Sequence, residues 1–497
     1  MNIRFATIAI SLLAVTTSGL AARELALVPQ QLPNPDNEPA PVHPLPHPRQ
    51  LKWMETEFYA FFHYGMNTFT DKEWGYGNEP ESIYNPLERP NPRQWLEAVK
   101  AAGMKGGIAV VKHHDGFCLW PTESTTHNIT NSGNRFSDVN IAEEFANAAR
   151  DLDMKYGFYV SPWDRNSAYY GDGTNDYVEK VFKTQCRELT QYGTDQFEMW
   201  FDGANGGDGY YGGADTVRSV DQSTYYDIPN LRHWVHQVMP DCVMWGVGDE
   251  ARWIGNEAGF AAETNWCFGK GTTGNADAWY WRAGESDAKA TSHGWFWHNG
   301  QKVHSADRIW QFYMETIGRN ATLILNFPPD QRGLLPDDNV AVLKEFGDML
   351  RQRMGTDLAL EATATATHTR RAGASRTYAA GNLIDGDKDT YWATDDGDIA
   401  SALTLTWDSP KLVHLVSLQE YLPKGQRVTD FSIEYSPDGT TWLPFGEGMT
   451  TSTIGYKRII SANGSTKEYG PGVEARAIRV NIADAKASPL LHTISVY

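Results

Sequence analysis

The sequence predicts an α/β fold class in two parts, a (β/α)8-like TIM barrel followed by a separate all-β sandwich, and three observations carry that expectation. From Lys52 to about Met354, short apolar runs alternate with amphipathic segments of ten or more residues, the pattern of repeated βα units around a parallel sheet. Successive early strands begin roughly 40 to 50 residues apart over about 300 residues, which suits a barrel better than a doubly wound sheet, and no GxGxxG or GxxxxGKS/T loop follows any of them. Past Met354 the texture changes to ATATATHTRRAGAS and then to short alternating strands without helical period, about 140 residues and so of sandwich size.

Taken in order, the chain starts with Arg4, an apolar run from Phe5 to Val15, and the small residues Gly19 and Ala21, which read as a secretory signal peptide over 1–21. That run is too short to span a bilayer and no later stretch is long enough, so the expectation is an exported chain, periplasmic or secreted, without membrane insertion. Residues 22–50 form a leader whose proline-rich part, Pro29 to Pro48, suits neither a helix nor a central strand and is expected to drape over the surface. The barrel is assigned to 51–356 and the sandwich to 357–497. Cys118, Cys186, Cys242 and Cys267 lack the close spacing of a stapled scaffold or a CxxC metal site and read as free buried thiols.

Within the barrel region the strand candidates are Phe58 to His63, Gly107 to Lys112, Tyr156 to Ser161, Phe197 to Phe201, Val243 to Gly246 and Thr322 to Phe327. Helix candidates are Pro92 to Ala102, Ile141 to Leu152, Asp176 to Tyr192, Pro229 to Met239, Ala306 to Ile317 and Asn339 to Met354. Two strands of an eight-stranded barrel find no clear segment.

Composition narrows the chemistry. A net charge of −19, from 43 Lys and Arg against 62 Asp and Glu, argues against nucleic acid or an anionic membrane as partner. The 18 Trp, 23 Tyr and 20 Phe lean toward carbohydrate, because flat apolar faces suit sugar rings, although tryptophan also fills cores.

Parallel barrels keep their sites at the strands' carboxy ends. The fourth candidate ends in Asp202-Gly203, which on its own reads more readily as an ordinary turn than as a catalyst. The first runs into His63 and then Glu73-Trp74, the second into His113-His114, the third into Trp163-Asp164-Arg165, and this agreement in polarity points to a site. His113 and His114 are adjacent, so on a strand they face opposite ways, unlike the HxH or HExxH spacing of zinc ligands. Glycoside hydrolysis needs a second carboxylate. The segment GVGDEARWIGNEAGFAAETNW offers Asp249, Glu250, Glu257 and Glu263; Glu257 has Arg252 and Trp253 near it to position and shield it, and Glu250 is the competitor.

FHYGMNTF, KEWG, VVKHHDGFCLWPT, GFYVSPWDR, EMWFDGA, ARWIGNEAG and LILNFPPDQRG together resemble the retaining α-L-fucosidases of glycoside hydrolase family 29, over roughly residues 50 to 350. The resemblance implies Asp202 as nucleophile and Glu257 as acid/base, with Glu250 still open as its rival. It implies substrate contacts from His63, Glu73, His113 and His114 to fucose hydroxyls, and Tyr159 near the nucleophile. Trp74 and Trp295 are expected against the sugar's apolar face, and Arg252 is grouped with the substrate-binding set. It also implies no catalytic metal or cofactor. The RWIGNEAG loop looks like that of the branch preferring α-1,3 and α-1,4 linkages, so the expected partner is a fucosylated oligosaccharide or glycoconjugate. A fucosidase of relaxed or α-1,2 preference, and a non-catalytic fucose-binding barrel, are the alternatives.

In the last part, LIDGDKDTYWAT and DFSIEYSPDGTTWLPF resemble the galactose-binding-like sandwiches of the discoidin and family 32 carbohydrate-binding type. Asp385 and Asp387 are candidates for a structural Ca²⁺, with a solvated acidic turn as the alternative. Trp392 and Trp442 lie inside strand patterns and are expected in the core. Asn128 and Asn320 begin glycosylation sequons, as does Asn463.

Overall fold

The computed structural model describes residues 34–446, 448, 450–464 and 469–497; the expected signal peptide and the start of the leader lie outside the described residues. Eight parallel strands form the first sheet. They are β1 Phe58–Phe62, β2 Gly106–Lys112, β3 Lys155–Val160, β4 Glu198–Trp200, β5 Val243–Met244, β6 Arg252–Trp253, β7 Gly284–Lys289 and β8 Ala321–Asn326. They pair in the order β5-β4-β3-β2-β1-β8-β7-β6, so β8 returns to β1 and the ring's seam falls between β5 and β6.

Alternation along each strand divides two cores. Phe58, Ala60 and Phe62 of β1 face the surrounding helices with Ala109, Val111 and Phe158. Tyr59 and Phe61 face the barrel interior with Ile108, Val110, Tyr159, Trp200 and Ile324. Burial on both faces is why these strands read as continuous apolar runs.

A short helix α1 (Pro48–Met54) precedes β1, and six more helices sit where the periodicity placed them. They are α2 Pro92–Ala101, α3 Ile141–Asp151, α4 Lys183–Leu189, α5 Ile228–Val238, α6 Ala306–Thr316 and α7 Asp337–Met354. The starts are set locally: Asn91, Asn140 and Ser305 accept from the backbone N–H three residues on, at 3.2, 3.2 and 3.3 Å. The two strands that had no clear segment are β6, of 2 residues, and β7, which reads GESDAK. Among the described residues no α-helix lies between β5 and β6, where there is only a 3-10 turn at Gly246–Gly248, or between β6 and β7, so the alternation lapses there.

The second part is a two-sheet sandwich of antiparallel strands. One sheet joins Thr363–Ala366, Ser401–Val413, Val473–Ala485, Val428–Ser436 and Leu443–Phe445; the other joins Trp392–Ala393, Leu490–Val496, Leu415–Glu420 and Arg458–Ser461. Trp392 is in its core with Leu403, Phe431 and Ile478. Trp442 is not: it lies half-buried, with the Arg479 guanidinium 3.5 Å from its ring centroid, a surface stack rather than core packing. The Asp385 and Asp387 carboxylates cap their own turn, accepting from Asp387 N–H at 2.8 Å, Thr390 Oγ1 at 2.6 Å and Asp389 N–H at 2.9 Å. Among the described residues, no group of three or more His, Cys, Asp or Glu is arranged to hold a metal ion, and no helix is long and apolar enough to cross a membrane.

The described part of the leader crosses the sandwich: Arg370 donates to Asn37 O at 2.5 Å, Arg427 to Ala40 O at 2.7 Å, and Lys424 pairs with Glu38 at 2.9 Å. All four cysteines are free and buried. Asn128 and Asn320 are buried and spend their amides on Thr125 O and Asn265 O, both at 2.8 Å, which closes those two sequons in the folded chain.

Candidate active site

The barrel strands' carboxy ends surround a cavity of about 540 Å³, and Asp202, Glu257, His63, His113, His114, Tyr159, Trp74 and Trp295 all line it. Two residues of the sequence-derived set, Glu73 and Arg252, stand outside that lining.

Asp202 leaves β4 two residues after Trp200, whose indole N–H donates to Glu285 Oε1 at 2.9 Å and whose ring stacks on Trp245 at 4.0 Å. Tyr159 O–H donates to Asp202 Oδ2 at 3.0 Å and Ala204 N–H to Oδ1 at 2.7 Å. Both oxygens are thus held by donors, and the carboxylate is aimed. Gly246 makes the close packing behind it possible: it has φ +64°, and a Cβ there would lie 1.7 Å from Phe201 O.

Three imidazoles form one wall of the cavity beside it. His63 Nδ1 bonds Asn326 Oδ1 at 2.7 Å, and an amide oxygen only accepts, so Nδ1 carries the proton and Nε2 remains an acceptor. Ser161 donates its hydroxyl proton to Trp163 O and so accepts from His114 Nδ1, both at 2.7 Å. His114 Nε2, 3.9 Å from Asp202 Oδ2, is likewise an acceptor. Burial lowers His63 to about 3 and, against the pull of Asp202, His114 to about 4. Burial also lowers His113 well below the usual range, and its buried Nδ1 has no hydrogen-bond partner among the described residues. The wall is therefore uncharged at neutral pH and rich in acceptors for hydroxyl groups.

Glu73 holds a tryptophan instead of lining the cavity. Its Oε2 accepts from Trp295 N–H at 2.7 Å and its Oε1 pairs with His298 Nε2, while Asn326 Nδ2 donates to Trp295 O at 2.7 Å. These bonds clamp Trp295 with its ring 5.2 Å from His63. Trp74 stands at the rim, 52% exposed, edge-on to His114 at 5.1 Å.

Glu257 sits on the loop after β6 in a left-handed conformation, φ +47°, which a side chain other than glycine adopts only when its surroundings hold it there. Lys289 Nζ lies 3.8 Å from its Oε2. Its rival is elsewhere: Glu250 does not line the cavity, and it accepts from Met244 N–H at 2.9 Å while pairing with His236 at 3.0 Å and Arg49 at 3.3 Å. Despite burial, which pushes the other way, the hydrogen bonds from His236 and Met244 and these charges hold Glu250 below the ordinary carboxylate range, unsuited to donate a proton near neutrality.

Arg252, expected at the substrate, is buried and turned away. It donates to Gly271 O at 2.6 Å, Asn265 Oδ1 at 2.7 Å and Trp266 O at 2.8 Å, tying down the chain between β6 and β7. Sequence reasoning also missed a third carboxyl: Asp287 of β7 lines the cavity and accepts from the Trp253 indole N–H at 2.8 Å. Burial first, then the charges of Glu257 and Asp202, push Asp287 up to about 7 against the Trp253 hydrogen bond. The alternation of charge in GESDAK was the available signal, in a region without apolar periodicity.

Comparison with known proteins places this geometry. A protein-family model for α-L-fucosidases matches residues 47–354, and one for the F5/8 type C domain matches residues 362–492. An α-L-fucosidase 1 of Arabidopsis thaliana is 31% identical over 92% of this chain and 88% of its own length. A Ruminococcus gnavus GH29 fucosidase, solved in complex with fucose, superposes with a TM-score of 0.78 at 30% identity, covering 93% of this chain and 96% of that one. A glycoside hydrolase 29 family member from an unknown rumen bacterium gives a TM-score of 0.77 at 33% identity, covering 93% and 78%.

Proposed function

The chain belongs to the α-L-fucosidases of glycoside hydrolase family 29, with an F5/8 type C domain behind the barrel, and from that premise we propose that it removes terminal α-1,3/1,4-linked fucose with retention of configuration. The observation that carries the proposal is the convergence of Asp202 and Glu257 on one tryptophan-walled cavity, while Glu250 is committed to an ion-pair network outside it.

In this reading Asp202 attacks the anomeric carbon while Glu257 protonates the departing oxygen, giving a fucosyl-enzyme. Glu257 then takes a proton from water, which releases fucose and restores Asp202. The nucleophile is prepared by the hydrogen bonds from Tyr159 and Ala204. The Nε2 acceptors of His63 and His114, fixed by Asn326 and Ser161, take hydroxyl protons of the sugar, and the Trp295 and Trp74 rings cover its apolar face. No step draws on a metal or cofactor. The linkage preference rests on the RWIGNEAG loop, and export on the amino-terminal pattern around Arg4.

The test has two parts. A panel of defined fucosyl-oligosaccharides should release fucose from α-1,3 and α-1,4 linkages faster than from α-1,2, and proton NMR should detect the α-anomer first. Glu257→Gln should lose most activity on oligosaccharides, keep more on aryl fucosides with good leaving groups, and recover with azide; equal losses on both substrate types would move the acid role elsewhere.

A further inference from the structure

The loop that bears Glu257 is docked on the end of β7. Ala258 bridges antiparallel to Ala288, and Gly259, at φ +73°, packs so close that a Cβ there would come within 2.9 Å of the Ala288 Cβ. On either side of Ala288, two side chains of opposite charge share one face of the strand. Asp287 is 5% exposed and holds the indole of Trp253, which ends β6 four residues before Glu257 at the root of its loop. Lys289 brings its Nζ to 3.8 Å from Glu257 Oε2 and to 5.1 Å from the Trp295 ring centroid. The loop is thus fixed to β7 at three points: an indole, a backbone bridge and an ion pair.

We propose that Asp287 and Lys289 are positioning residues for the acid/base step: Asp287 fixes the loop through Trp253 and places a carboxyl beside Glu257, Lys289 places an opposing cation there, and their balance sets the pH range in which that step runs. The proposal rests on the reading of Glu257 as the acid/base. The titratable groups bearing on this corner are Asp202 beyond β4, Glu285, Asp287 and Lys289 on one face of β7, and His63 beyond β1, which burial keeps uncharged. A negative charge beside a carboxyl favours its protonated form and a positive charge its ionised form, so the two β7 residues act in opposite directions.

Opposite signs make the test decisive. The pH dependence of kcat/KM is measured on a fucosylated oligosaccharide, whose leaving group needs protonation, for the wild type, Asp287→Asn, Lys289→Gln and Lys289→Arg. Asparagine keeps an acceptor for the Trp253 indole. The alkaline limb should move to lower pH in Asp287→Asn and to higher pH in Lys289→Gln, each by about half a pH unit or more, and stay in place in Lys289→Arg. Limbs that do not move, or that move the same way, overturn the proposal; if Asp287→Asn does not fold, the Lys289→Gln and Lys289→Arg pair decides it. Failure of the underlying reading looks different, because Glu257→Gln would then hydrolyse the oligosaccharide at the wild-type rate.

Discussion

Replacing Arg252 with methionine should cost stability and leave sugar binding alone. The guanidinium, 4% exposed, donates to Gly271 O, Asn265 Oδ1 and Trp266 O at 2.6 to 2.8 Å. Methionine fills much of the same volume and leaves those three acceptors without their donor. Each buried acceptor stranded in this way costs about 1–3 kcal/mol. Part of that is offset, because burial disfavours the charge itself and pushes Arg252 down to about 10. A net loss on the order of 3 kcal/mol follows. Urea unfolding followed by tryptophan fluorescence reads the loss, and Michaelis kinetics on an aryl fucoside at a temperature where the variant is folded should show KM within about twofold of wild type. An unfolding midpoint that does not move, together with KM raised about tenfold or more, would refute this and return Arg252 to the substrate.

Two further outcomes follow from the same geometry. Tyr159→Phe removes the O–H that Asp202 Oδ2 accepts at 3.0 Å; a hydrogen bond to a charged group contributes about 1.5–3 kcal/mol, so kcat/KM should fall about 10- to 100-fold at nearly unchanged melting temperature, and an unchanged kcat/KM would mean that the bond plays no part in attack. Glu285→Gln tests the barrel floor, where burial raises Glu285 to about 8 from an unfolded value of 4.5. The folded chain then holds a proton that the unfolded chain gives up, so this group's contribution is fully present below 4.5 and is lost as pH rises through about 8. Glutamine has no such loss, and the melting temperature of the variant relative to wild type should climb steadily from about pH 5 to pH 8; a difference independent of pH would mean that the carboxyl is already ionised.

What was legible in the sequence tracks how each strand is buried. β1, β2, β3 and β8 are apolar on both faces along most of their length, so runs such as FYAFF and TLILN announced themselves, and Asn91, Asn140 and Ser305 marked helix starts. β7 was hidden because Glu285 and Asp287 turn into the barrel, where Tyr59, Trp200 and Trp253 satisfy them; nothing in GESDAK reads as a strand without those partners. The residues gathered by the cavity were mostly legible because they end recognisable strands. Arg252 was misassigned for the complementary reason: its neighbours in sequence, Trp253 and Glu257, line the cavity, but its side chain points from the strand's other face toward carbonyls of a segment without a sequence signature. Asn326 and Ser161, which set the tautomers of His63 and His114, carry no pattern of their own.

The central claim is that Asp202 forms the covalent bond to the sugar. Incubation with a 2-deoxy-2-fluoro fucosyl fluoride, which slows breakdown of a glycosyl-enzyme, followed by proteolysis and mass spectrometry, tests it most directly. The account predicts a single fluorofucosyl adduct on the peptide EMWFDGA, carried by Asp202. An adduct on Asp287 or Glu257, or turnover of the reagent with inversion and no adduct at all, would contradict it.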